Sequence, residues 1–211
     1  MKVIDLTQMI SDDMPVFPGT APASLEVVNT YETDGFRETL FRMTSHTGTH
    51  MDAPYHLFPE RTKLDEMAAA QFVGKALVID CSDLKAGDQI TLDRVTRYGE
   101  LAKQADFLLF YTGWDRFWGN EEYFGEYPYP EESVIDYVLA GDYKGIGFDV
   151  IGLDPIGSLH LHKKLFASAE IINIENLTNL GLCGTELFDF VCLPLKFVNS
   201  DGASARAVAC L

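Results

Sequence analysis

His46-Thr47-Gly48-Thr49-His50-Met51-Asp52-Ala53-Pro54-Tyr55-His56 is the stretch on which the reading of this chain turns. It gathers three of the five histidines of a 211-residue sequence around one aspartate. The other two histidines, His160 and His162, stand shortly before Glu175. Neutral imidazoles grouped with carboxylates are the donor set of a divalent metal with open coordination positions. A lone histidine is more often a satisfied core or surface residue. Three of them with an aspartate in one short window reverse that expectation.

The window does not read as a helix. His46 and His50 are spaced for one helical face, but Gly48, Pro54 and the β-branched Thr47 and Thr49 oppose it. In an extended chain His46, His50, Asp52 and His56 share a face. A straight strand would hold the α-carbons of His46 and His50 roughly 13 Å apart, barely within reach of one ion. Gly48 tolerates the backbone angles that a bend requires. The sequence therefore predicts a strand that breaks into a tight loop at Gly48 and folds its polar groups inward. Pro54 fixes the exit and leaves His56 beside the ligands but turned differently. A histidine next to a metal and not bound to it can shuttle a proton near neutral pH.

Outward from this window, β-rich runs cover Val3 to Leu6, Leu40 to Thr44, Ala76 to Asp80, Phe107 to Tyr111, Ile146 to Val150, Glu170 to Ile174 and Phe190 to Leu195. The second pair of apolar runs, Ala76 to Asp80 and Phe107 to Tyr111, reads as strands buried on both faces. Helices are predicted from Thr91 to about Lys103 and from Pro130 to a stop at Gly141. Strand and helix alternate from about residue 75, which implies an α/β sheet with helices packed on it. The part before the histidine window looks more like strands and loops. No repeat, linker or low-complexity tract interrupts the chain, so one domain over residues 1–211 is expected. The segment from Trp114 to Pro130 holds both tryptophans with Phe117, Tyr123, Phe124, Tyr127 and Tyr129. It reads as a satellite core under a long loop, or else as an aromatic pocket wall or dimer contact.

A formal net charge of -16 repels phosphate backbones and anionic lipid, so nucleic acid and membrane are not expected partners. The opening residues Met1 to Leu6 lack the basic and apolar regions of a signal peptide. No apolar run approaches a membrane span. Cys81, Cys183, Cys192 and Cys210 are far apart and form no C-x-x-C pair, as expected of buried thiols in a reducing compartment. A soluble, cytoplasmic protein is the resulting expectation. No Walker sequence or G-x-G-x-x-G points to a nucleotide.

The motif His46-x-Gly48-Thr49-His50-x-Asp52-Ala53-Pro54-x-His56 resembles the signature of the cyclase-family metal-dependent hydrolases, whose best-known members are bacterial kynurenine formamidases. Asp5-Leu6-Thr7, Phe17-Pro18-Gly19, Gly147 to Pro155, Ile174-Glu175-Asn176-Leu177 and Leu193 to Phe197 resemble further blocks of that family. The resemblance implies a single domain of the swivelling β/β/α type, a homodimer, and one or two ions of zinc, or of manganese, per subunit. By position it implies that His46, His50 and Asp52 bind one metal and that Asp52 bridges to a second held by His162 and Glu175. His56 would be the catalytic acid/base, and Phe17 would lie against the substrate. The spacing before Glu175 is one residue longer than in formamidases, which leaves His160 as the other candidate for His162's place. Formamidases carry Trp before the Pro-Gly pair and Asp after it, where this chain has Phe17 and Thr20. These departures touch the substrate pocket and spare the metal site.

The chemistry implied is hydrolysis of an amide by water activated at the metal, with N-formyl-L-kynurenine or a related aryl formamide of tryptophan catabolism as the first substrate. A cyclic amide such as isatin, a lactone, or a dehydrating cyclisation is the enzymatic alternative. The remaining reading is a metal-binding protein without catalysis. A structural zinc site saturates itself with four protein ligands, whereas carboxylates, a spare histidine and no thiolate favour an open site.

Overall fold

The continuous apolar runs of the sequence become the parallel half of a closed barrel. In the computed structural model, which describes residues 1–211, the strands are β1 (Val3–Asp5), β2 (Ser24–Asn29), β3 (Glu38–Arg42), β4 (His50–Asp52), β5 (Val73–Asp80), β6 (Gln89–Ile90), β7 (Phe107–Tyr111), β8 (Tyr129–Pro130), β9 (Gly145–Phe148), β10 (Ile172–Glu175), β11 (Phe188–Pro194) and β12 (Gly202–Cys210). The α-helices are α1 (Tyr31–Asp34), α2 (Leu92–Thr96), α3 (Glu100–Gln104), α4 (Glu132–Ala140) and α5 (His160–Phe166). Strands β5, β7, β9 and β10 run parallel in that order. The circuit then closes antiparallel through β4, β12 and β11 back to β5, giving a seven-stranded barrel with β1 added at one edge. Closure leaves these seven strands without a free long edge.

Alternation along each strand sorts side chains into two cores. Met51, Ala76, Val78, Phe107, Leu109, Ile172, Ile174, Phe190 and the alternate alanines of β12 pack together inside the barrel. Leu77, Ile79, Leu108, Phe110, Ile146 and Phe148 face outward and pack under Val95 of α2, Val134, Ile135 and Val138 of α4, and Leu165 and Phe166 of α5. Parallel strands buried on both faces have no polar alternation, which is why their runs read as unbroken apolar stretches.

Strand β4 is only three residues long, yet it places the site. It lies between β10 and β12, with Asp52 opposite Asn173 and Gly202, Met51 opposite Ile174 and Ala203, and His50 opposite Glu175 and Ser204. Met51 is fully buried in the barrel interior. His50 and Asp52, one residue to either side, must therefore face outward, as must Asn173 and Glu175 on β10. A one-residue slip would put Met51 outside and two polar groups in the core, so burial of Met51 fixes the register.

Several local expectations change. The helix predicted from Thr91 to Lys103 is two short helices, because Gly99 takes φ +54 between them. The run at Leu40 to Thr44 is the end of a hairpin with β2 that lies outside the barrel. Gly48 does bend the chain, at φ +64, but the strand follows the bend instead of preceding it. The Ala-rich β12 carries no strand signal in the sequence, since alanine has little β-propensity. Its small side chains fit the crowded barrel interior.

Candidate metal centre

The strand register brings the two histidine windows together. Glu175 and His50 are cross-strand neighbours on β10 and β4. Side chains paired in this way on one face come within about 5 Å at Cβ. Helix α5 covers them from outside and supplies His162, which is 7% exposed. Residues two apart on a helix point about 200° away from each other. His160 accordingly projects outward, with Nε2 3.4 Å from Glu132, and takes no part in the cluster. His46 arrives from the loop before Gly48, and its ring lies against the backbone of Gly202.

Three groups of ligand atoms result: His46–His50–Asp52 and Asp52–His162–Glu175, which share Asp52, and His46–His56–Asp201. The donor set can be tested for its fit to a cation. His50 Nδ1 is 2.9 Å from the Gly48 carbonyl, which can only accept, so the neutral ring carries its proton there. The lone pair of Nε2 then faces Asp52 Oδ1 at 3.4 Å and Glu175 Oε2 at 3.5 Å. His162 repeats the arrangement. Its Nδ1 donates to Asp154 Oδ2 at 2.7 Å, and its Nε2 faces Glu175 Oε1 at 3.1 Å and Asp52 Oδ2 at 3.5 Å. Lone pairs aimed at carboxylate oxygens repel unless a proton or a metal cation lies between them. Ligands of a tetrahedral ion at about 2.0–2.1 Å stand roughly 3.3–3.4 Å apart, close to these separations. The residues therefore fit a divalent metal.

The electrostatics make the same demand. Burial opposes ionisation of Asp52, yet the imidazoles of His162, His46 and His50 hold it well below the usual carboxylate range. Burial also opposes a charge on His46, but its bonds to Asp201 and Asp52 outweigh this and raise it to about 10. His162 is raised in the same way, against burial, by Asp154, Asp52 and Glu175. The cluster of carboxylates thus seeks positive charge, whether proton or metal.

Four residues of the site carried no signal as site residues in the sequence, or a different one. Asp154 accepts from the backbone of Leu161 and His162 as well as from the His162 ring, fixing both helix and imidazole. Asn173 donates to Asp52 Oδ2 at 3.0 Å and Glu175 Oε1 at 2.8 Å, while its own Oδ1 is buried without a partner. Asp201 lies 3.1 Å from His46 Nε2 and 3.8 Å from His56 Nδ1. Asn176, adjacent to Glu175, donates to the Gly48 carbonyl at 2.8 Å. An Asp-Pro pair, two asparagines and a loop aspartate are too common to stand out in a sequence. The partners of Asn173, Asn176 and Asp201 include residues more than a hundred positions away, and those of Asp154 lie on the helix that follows it.

A cleft of about 340 Å³ opens over the cluster, and Phe17, Pro15, Thr20, Ile151 and Leu159 line its outer part. His56 stands on its rim, 31% exposed at the side chain, with its ring 4.1 Å from that of His46. Burial pushes the His56 imidazole below its usual range. The aromatic segment from Trp114 is mostly core. Trp114, Tyr123 and Tyr127 are buried in the outer cluster under the loops. The strand end at Thr112 and Gly113 is tied by bonds to buried Asp149 and does not reach the cleft.

Comparison with known proteins identifies the family of the chain. A profile of the family described as "Putative cyclase" matches residues 4–155. The kynurenine formamidase of Geobacillus thermodenitrificans is 31% identical over 208 residues, covering 97% of this chain and 95% of that protein. Isatin hydrolase A from Labrenzia aggregata shares the fold with a TM-score of 0.87 at 24% identity, over 99% of this chain and 93% of its own. A protein of Bacillus stearothermophilus described as a predicted metal-dependent hydrolase superimposes with a TM-score of 0.78 at 27% identity, over 99% of this chain and 97% of its own. With a profile match over more than half of the chain and a relative 31% identical along nearly its whole length, this chain belongs to the cyclase family of metal-dependent hydrolases.

Proposed function

We propose that this hydrolase cleaves a carbon–nitrogen amide bond, and that its substrate is N-formyl-L-kynurenine or a related aryl formamide. One observation carries the reading: two ligand groups sharing Asp52 lie at the floor of a cleft with His56 at the rim. His46, His50 and Asp52 would hold one ion, and Asp52, His162 and Glu175 a second. Zinc suits imidazole and carboxylate donors of this spacing, with manganese the alternative. A divalent ion in such a site supplies Lewis acidity, lowering the pKa of water from 15.7 toward about 7 and polarising a carbonyl.

The residues divide the remaining work. Asp154 keeps the proton of His162 on Nδ1, so Nε2 stays available as a donor atom. His56 Nδ1 is 3.8 Å from its nearest acid, Asp201, beyond hydrogen-bond reach. A neutral, unengaged imidazole at the rim is free to take a proton from the attacking water and return it to the leaving nitrogen, a contribution of about 10²–10⁴-fold. Phe17 offers an aromatic face at the cleft mouth. His56→Ala is expected to cripple turnover while metal content stays near that of the parent. Loss of the metal instead would mean that the roles are wrongly assigned.

A second reading has one observation in its favour. No lysine or arginine lines the cleft, so no ammonium or guanidinium group there pairs with an α-carboxylate. A neutral cyclic amide such as isatin needs no such partner. Side-by-side assays of zinc- and manganese-loaded protein on N-formyl-L-kynurenine and isatin separate the two, with formate release from the first alone deciding for the formamidase.

Homodimerisation is part of the proposal. Strands β2 and β3 contain no buried residue, and the hairpin they form exposes Val27, Val28, Tyr31, Phe36, Leu40 and Phe41. An apolar surface of this kind supports an interface. Light scattering should return twice the chain mass, and a monomer would remove this part of the reading.

A further inference from the structure

The aromatic segment that fills the outer core also reaches the metal centre. Tyr123 is fully buried and packs edge-on against Trp118 and Phe124. Packing alone would be served by phenylalanine. Its hydroxyl, however, donates to Asn176 Oδ1 at 2.7 Å. Asn176 Nδ2 donates onward to the Gly48 carbonyl at 2.8 Å, the same carbonyl that accepts from His50 Nδ1 at 2.9 Å. The relay has a direction. The Gly48 carbonyl can only accept, so it selects the amino end of Asn176, and the amide oxygen is left for the tyrosine. Without the hydroxyl, that oxygen is a buried acceptor with no partner, and the amide loses what keeps it from turning.

Asn176 is held for this task. It adopts φ +58, its backbone N–H donates to Val150 at 3.0 Å, and its carbonyl accepts from Thr49 at 2.6 Å. Tyr127, from the same segment, donates at 2.5 Å to the carbonyl of Asp154, whose carboxylate holds His162. One loop thus braces the partners of both histidines.

We propose that Tyr123 is a positioning residue of the metal centre: through Asn176 and the Gly48 carbonyl it holds the His50 imidazole in the tautomer and orientation that turn Nε2 toward Asp52 and Glu175. The role rests on the metal-dependent reading of the site given above.

Tyr143 supplies the control, because it is a buried tyrosine whose hydroxyl donates to the Ala102 carbonyl at 3.0 Å in the same core, with no link to the site. Tyr123→Phe is expected to weaken Zn²⁺ binding by about 10–100-fold, to shift the d–d bands of the Co²⁺-loaded protein, and to lower kcat more than it raises KM. Tyr143→Phe should lower the melting temperature without touching metal affinity or the cobalt spectrum. Asn176→Asp keeps the tyrosine packing but turns an oxygen toward the Gly48 carbonyl, and should reproduce the metal defect even if Tyr123→Phe folds poorly. If the parent binds zinc and cobalt while Tyr123→Phe and Asn176→Asp bind them equally well, the positioning role is wrong and the metal reading survives. If the parent binds neither ion, both fall.

Discussion

Replacing Gly202 by alanine tests how the first ligand group is built. A Cβ at this position would stand 2.8 Å from His46 Nε2 and 2.9 Å from Nδ1, and nearer still to Cε1. Ordinary contact begins at 3.4 Å, so the ring would have to retreat by about 0.6 Å at Nε2 and further at Cε1. The His56 ring, 4.1 Å away centroid to centroid, crowds one route of retreat. The imidazole must swing out of the group it forms with His50 and Asp52. Displacement of a ligand on this scale is worth about 10–100-fold in metal affinity and about 100-fold in kcat/KM, or roughly 2.7 kcal/mol at the transition state. The β12 backbone itself accepts alanine, so the chelated variant should melt within about 3 °C of the chelated parent. Zinc affinity by chelator competition, turnover of an aryl formamide, and circular dichroism read these three quantities. Combining Gly202→Ala with His46→Ala should cost no more than His46→Ala alone, since the steric target is gone. A Gly202→Ala protein with metal affinity within about three-fold of the parent would refute the close approach as the device that seats His46.

Other expectations follow from the same packing. Chelating a protein saturated at a thousand times its dissociation constant removes about 4 kcal/mol, which for a chain of this size lowers the melting temperature by roughly 8–16 °C. The barrel ladder should survive, and a chelated chain without cooperative melting would mean the metal is structural. Met51→Ala empties a fully buried site in the barrel and should cost about 2–5 kcal/mol in urea unfolding, with zinc affinity falling too because the same strand carries His50 and Asp52. Burial pushes the thiols of Cys81, Cys183 and Cys192 up to about 12, 11 and 12, so about one in a thousand or fewer is thiolate at pH 8. Ellman's reagent should therefore modify only Cys210 in the native protein, and all four cysteines after denaturation; two fast thiols in the native state would contradict the packing.

The amino-acid sequence determined the chemistry of the ligands and the parallel half of the barrel. Imidazoles and carboxylates in two windows carry their donor character wherever the chain takes them, and strands buried on both faces must be apolar throughout. The bend at Gly48 was equally legible, because few residues tolerate φ +64. Tertiary structure decided the rest. His162 rather than His160 enters the site because α5 is rotated to bury Leu161, Leu165 and Phe166. Asn173 joins it through a bond to Asp52 that exists only once β4 is seated beside β10, Asp201 through a contact with His46 from a distant part of the chain, and Asp154 through the turn that starts α5. The closing strand β12 was hidden by its alanines, whose suitability lies in the small space opposite Met51 and not in any local preference. Local propensity and donor chemistry belong to single residues, whereas register, facing and hydrogen-bond partnership belong to pairs that the chain's own order does not reveal.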